Sequence, residues 1–197
     1  ELAFIVNVVI NSKKEIVASF AGDCEEAHLA GTRFVDEMVA EDPVPAEIVL
    51  TTNNGYPLDQ NAYQAVKCMC TAEATCPAGG VIIAVSKCDD GAGGDEFYRT
   101  FQEDPSAANI LAGFRRRSAS ETVEDQWQSQ IFARILASHT IIFISDLPEQ
   151  MVRDLHMIPA ASVEEALLLA DQALGKEDAG ICVIPEGVTT MIRPPRM

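Results

Sequence analysis

Positive charge is scarce in this sequence. Fourteen Lys and Arg stand against 30 Asp and Glu, a formal net charge of −16 over 197 residues. Nucleic acid is bound by displacing counterions with Lys and Arg, so the balance argues against it as a partner. It argues equally against an anionic membrane surface. Long hydrophobic runs are also missing: no apolar stretch nears the roughly 20 residues that cross a bilayer. The opening ELAFIVNVVIN is apolar, yet it lacks a basic flank and a small-residue cleavage site, so a signal peptide is a poor fit. A disulfide framework is absent as well. Cys24, Cys68, Cys70, Cys76, Cys88 and Cys182 follow no scaffold spacing, and the chain is long enough to bury a core without staples. These cysteines predict a reducing, cytoplasmic setting. There is no initiator Met, and a strand-like run begins at once, so the expectation is a piece of a longer protein.

About half of the residues are apolar, the norm for a globular chain. LAFIVNVVI (2–10) and EIVASFA (15–21) are β-branched runs around the polar NSKK, which predicts a hairpin. Asp23 is placed to cap a helix that ends near Asp42-Pro43. Apolar strand runs follow at 47–53, 81–88, 140–146 and 181–185. Helical patterns separate them, including a long segment broken at RRRSASET (115–122), then 148–155 and 162–175. Ser162 with Glu165 forms a capping-box pattern before the last helix. The tail VTTMIRPPRM (188–197) reads as irregular. Alternating strands and helices predict a three-layer α/β/α domain around a mostly parallel sheet, with the hairpin at its start. One domain over 1–197 is expected, and ligands of such sheets bind outside the carboxyl ends of the strands.

The stretch GYPLDQNAYQAVKCM (55–69) lies at such an end. With a helix start at Asp59 or Gln60, Tyr63, Gln64 and Lys67 fall on one face at spacings of three and four. Ala62, Ala65, Val66 and Met69 take the other side and can pack on the sheet. A hydroxyl, an amide and an ammonium together suit a small carboxylate bearing an adjacent hydroxyl or carbonyl. Spacing alone equally describes a solvated lysine, a surface glutamine and a half-buried tyrosine.

A family resemblance bears on that choice. NVVINSKKEIVASFAGD (7–23), NNGYPLDQNAYQAVKCM (53–69), TAEAT with PAGGVII (71–83) and LHMIPAASVEEAL (155–167) resemble the C-terminal domain of the nickel-dependent lactate racemase family. The resemblance implies a two-domain enzyme whose N-terminal domain carries a nickel-pincer nucleotide and the acid–base histidines. It implies that this chain is the substrate-side domain, with residues 1–22 near the interdomain junction. By motif, Gln64 and Lys67 fall on the family's substrate-binding glutamine and lysine, with a part in catalysis, and Tyr63 on a tyrosine lining the site. Trp127 matches an active-site tryptophan near the cofactor. The implied reaction is racemisation of a 2-hydroxy acid by hydride transfer through a transient 2-keto acid. Lys67 is then an electrostatic clamp that holds the acid while its C2 is planar. The fragment alone is expected to be inactive. The alternative is a binding module without catalysis.

Other candidates carry less. Cys68, Cys70 and Cys76 form C-x-C-x5-C, which lacks a fourth ligand at a familiar distance, so small buried thiols are the simpler account. GAGGDEF (91–97) could offer amides to a phosphate, but Asp89, Asp90 and Asp95 would repel it, and a flexible turn is favoured. His28, His139 and His156 lie on separate elements. Arg115, Arg116 and Arg117 read as a solvated loop or domain contact.

Overall fold

Asn11 shows how the chain first turns. Its side-chain oxygen accepts the N–H groups of Lys13 at 2.9 Å and Glu15 at 3.0 Å, closing the hairpin between β1 (Ile5–Ile10) and β2 (Ile16–Gly22). A computed structural model of the chain describes residues 3–193, and the ends of the predicted first strand and of the tail lie outside them. After the hairpin, Asp23 accepts from the N–H groups of Glu25 and Glu26 and caps α1 (Cys24–Val39), as expected. A two-residue strand, β3 (Ala40–Glu41), follows. The chain divides into two compact units, 1–42 and 43–197.

The second unit is built on five parallel strands: β4 (Ile48–Thr52), β5 (Val81–Val85), β6 (Thr140–Ile144), β7 (Ile158–Ala160) and β8 (Ile181–Ile184). Their order is β7-β6-β5-β4-β8. Seven α-helices belong to the chain's described residues, and six lie in this unit: α2 (Ala62–Glu73), α3 (Asp95–Glu103), α4 (Ala107–Arg116), α5 (Gln126–Ser138), α6 (Glu149–Asp154) and α7 (Val163–Leu174). A short strand β9 (Met191–Ile192) ends the described chain. No helix among the described residues is long and apolar enough to cross a membrane.

The order of strands explains where the helices fall. From β4 to β7 each strand is laid beside its predecessor in one direction. Right-handed crossovers therefore place α2 to α6 on one face. The chain then returns past the whole sheet to put β8 on the far side of β4, which places α7 on the other face. The packing follows the period of two along each strand. Val49, Ile82, Ala84, Ile141 and Phe143 belong to the core beneath α2 to α6. Ile48, Val81, Ile83 and Ile142 meet Ala166 and Ala170 of α7. The predicted α/β/α layering and N-terminal hairpin are thus present, with the two helical layers unequal.

Three details differ from the sequence reading. Strand β7 sits inside LHMIPAA, where no strand was expected; Pro159 fits because β7 is an edge strand. The long helical segment breaks at Pro105 as well as at the arginine-rich joint. Helix α2 starts at Ala62, later than Asp59 or Gln60. The intervening residues turn back on Gly55, whose carbonyl accepts the N–H groups of Leu58 at 2.8 Å and Asp59 at 3.2 Å.

Candidate functional site

The exit of β4 is the place where the chain's connections diverge, since β5 lies on one side of it and β8 on the other. Asn53 is fully buried there; its amide donates to the Leu58 carbonyl and its N–H to Val85 O at 3.1 Å. The loop after β5 cradles the turn from below. Cys88 N–H donates to Asp59 O at 2.8 Å and Asp90 N–H to Gln60 O at 2.7 Å.

The glycine-rich loop meets the start of α2 with carbonyls. Ala62 and Tyr63 donate their N–H groups to Gly91 O at 3.1 Å and Ala92 O at 2.9 Å. Asn61 caps the third, accepting from Gln64 N–H at 2.9 Å. These are three of the amides that a helix start leaves without internal partners. Asn61, Asp125 and Gln128 were not singled out in the sequence. For Asn61 a signal existed, since Asn-x-x-Gln is a capping pattern.

Lys67 is exposed, and its ammonium donates to Gln64 Oε1 at 2.5 Å. The pair is therefore assembled, as the helical spacing predicts. The Gln64 carbonyl orients the ammonium and leaves the amide nitrogen for another acceptor. Tyr63 is engaged differently: its hydroxyl donates to Asp125 Oδ1 at 3.1 Å. Burial first, and then the neighbouring Asp125 carboxylate, push this phenol above its ordinary value. It stays a neutral donor at physiological pH. Gln128, itself buried, donates to the Tyr63 carbonyl at 2.8 Å.

Trp127 stands beside this group. Its ring meets Tyr63 edge-on at 6.3 Å between centroids, and Tyr63 meets Phe97 edge-on at 5.5 Å. Phe97, Phe101 and Phe132 then pack on one another between α3 and α5. Burying such a side chain is worth about 1.5–3 kcal/mol, so this cluster fixes α5, and with it Trp127, relative to α2. Trp127 remains 58% exposed. Lys67, Trp127 and the segment 188–192 border one groove of about 490 Å³. That segment was read as irregular, yet its start is well seated. Gly187 N–H donates to Thr52 O at 3.2 Å, Val188 N–H to Asn54 Oδ1 at 2.8 Å, and Asn54 Nδ2 to Thr189 Oγ1 at 2.9 Å. A Cβ on Gly187 would lie 2.3 Å from Thr51 Oγ1, so only glycine lets the segment sit this close.

The remaining candidates are dispersed. Cys68 is buried and donates to Ala65 O at 3.1 Å; burial pushes it, and Cys76, up to about 12. Cys70 is contacted by the Arg134 guanidinium at 3.8 Å. Among the described residues no three His, Cys, Asp or Glu side chains converge as a metal site. His139 and His156 border a hollow of about 470 Å³ at the amino ends of β6 and β7, away from Lys67. His139 is within 3.3 Å of Ile135 O and 3.2 Å of Cys76 O, and His156 within 2.9 Å of Phe101 O. His28 lies exposed on α1. Arg117 covers the Phe114 ring at 5.1 Å and donates to Gln126 at 2.9 Å.

Known proteins share this architecture. The family model described as the lactate racemase C-terminal domain matches residues 41–192. A lactate racemase of Thermoanaerobacterium thermosaccharolyticum is 47% identical over 98% of this chain and 45% of its own length. One of Lactiplantibacillus plantarum is 42% identical over 98% of the chain and 46% of its own. The solved structure of the T. thermosaccharolyticum apoprotein superposes with a TM-score of 0.92 at 46% identity, over 98% of this chain and 46% of that one. The chain thus spans about half the length of the relatives it matches. It belongs to the lactate racemase family, and residues 41–192 are that family's C-terminal domain.

Proposed function

We propose that this chain is the substrate-side part of an enzyme that racemises a small 2-hydroxy acid, and that Lys67 and Gln64 grip the acid's carboxylate. The observation that carries this is the assembled Lys67–Gln64 pair, whose exposed lysine borders a groove that the segment after β8 also lines. The chain's charge of −16 repels an anion at long range, so the attraction has to be local. An ammonium bonded to a carboxylate contributes about 1.5–3 kcal/mol. Gln64 holds the ammonium in place and offers its own N–H to a second oxygen. Tyr63 and Trp127 form the aromatic wall beside them.

The resemblance implies a nickel-pincer nucleotide, which when bound supplies the hydride acceptor. Trp127 fits it, because its half-exposed indole offers an aromatic face to a flat pyridinium ring. Metal ligands would come from the other domain. The part of this chain's residues is to bind the acid, orient it and keep it from turning while its C2 is planar.

The test is steady-state racemisation by the full-length, cofactor-loaded protein across a panel of 2-hydroxy acids. Lys67→Ala should raise KM steeply and lower kcat, a loss in kcat/KM of about 10- to 150-fold from the energy above. Wild-type kinetics in that variant on every acid turned over would remove Lys67 from the site. No racemisation of any acid by the wild-type protein would favour the non-catalytic binding module.

A further inference from the structure

The outer face of the β1–β2 hairpin is apolar and open. The register pairs Val6 with Ala21, Val8 with Ser19 and Ile10 with Ile16, so these side chains share one face. Val6 is 64% exposed, Val8 50%, Ile10 50% and Ile16 66%. The other face, with Ile5, Val9 and Phe20, is the one that α1 covers. Phe20 lies over Gly31 and meets Phe34 at 5.6 Å. A sheet with one solvated face carries polar residues there. Here Ser19 is the only polar residue among the six.

A second observation concerns where this unit belongs. Residues 1–42 form a compact unit by themselves, and the C-terminal-domain family model begins at residue 41, at the same boundary. Yet relatives match 98% of the chain, so the hairpin and α1 are part of what the family shares. Those relatives are more than twice as long as this chain. A hairpin and one helix, with Cys24 as its lone free thiol, are too small to supply a core of their own.

We infer that residues 3–42 are the closing hairpin and helix of the family's preceding domain, and that Val6, Val8, Ile10 and Ile16 pack against that preceding part of the same polypeptide. The inference stands whether or not Lys67 binds substrate. It places the structural boundary at 42–43, not at the start of the hairpin.

The test uses the full-length protein with Val8→Cys and, as an exposed control at the hairpin turn, Ser12→Cys. Each is labelled with a maleimide and read by peptide mass. Val8→Cys should react at least about a hundredfold more slowly than Ser12→Cys, as for a buried thiol. Hydrogen exchange of the unaltered protein, which needs no variant, should show amides 5–10 protected to the level of core strands. Equal labelling rates, or free exchange at 5–10, would overturn the inference. So would protection that vanishes on dilution with a halving of mass in light scattering, since the occupant would then be a second copy.

Discussion

Replacing Gly93 by alanine asks whether the glycine-rich loop holds the first turn of α2. Gly93 has φ +86°, a left-handed conformation that costs another residue about 1–2 kcal/mol. A Cβ there would lie 2.3 Å from Asn61 Cγ and 2.4 Å from Oδ1. Asn61 has little room to yield. It is 9% exposed, caps Gln64 N–H at 2.9 Å, and donates to Asp90 at 3.3 Å. Moving it removes the N-cap, worth about 1 kcal/mol. The expected loss is therefore about 2–3 kcal/mol. Gly91→Ala is the matched control, with φ +66° but nothing within 4 Å of the added carbon. It should lose only the backbone share, about 1–2 kcal/mol. Urea unfolding of the wild type, Gly91→Ala, Gly93→Ala, Asn61→Ala and the double variant Asn61→Ala/Gly93→Ala measures each value. The double variant should lose less than the sum of its singles, because the clashing side chain is gone. Equal losses at the two glycines, together with additivity in the double variant, would refute the contact between loop and helix cap.

Four further outcomes follow from the packing and the titrating groups. Gly187→Ala drives a carbon to 2.3 Å from Thr51 Oγ1 and 2.7 Å from Cys68 Cβ, so overpacking should cost about 1–3 kcal/mol in urea unfolding. Gly113→Ala, inside α4 with nothing within 4 Å, should instead stabilise by about 1 kcal/mol. Hydrogen bonding to Asp154 raises Tyr98 from 10.0 to about 12, and Tyr63 shifts the same way. A phenol raised on folding stabilises fully below its unfolded value, so this contribution is complete below pH 10 and fades as pH climbs toward 12. Tyr98→Phe should flatten the fall in melting temperature over that window. Burial pushes Cys68 and Cys76 to about 12 and Cys88 to about 11, so a thiol-disulfide reagent at pH 8 should spare all three until urea unfolds the chain. Modification of any of them in the native protein would show that its burial is transient.

Much of this protein was legible in local spacing. Continuous apolar runs marked β4, β5 and β6, as strands covered on both faces require, and the period near 3.6 marked the helices, because burial imposes those patterns on neighbouring residues. The same periodicity put Gln64 and Lys67 together, and the 2.5 Å bond between them needs only one turn of helix. What local spacing could not carry is everything set by contacts across the chain. Asp125 takes the Tyr63 hydroxyl from 62 residues away, and Asn54 is bonded to Thr189 across 135. No repeat links such positions, since each is brought to the other by the order of the strands and by an aromatic cluster that fixes the angle of α5. The sequence by itself determined the hairpin, the central strands β4 to β6 and most of the helices, and which side chains share α2's outer face. Only the tertiary structure decided that Tyr63 is committed to Asp125, that Trp127 stands beside it, and that the segment after β8 walls the groove, because parallel pairing joins strands that lie far apart in the chain.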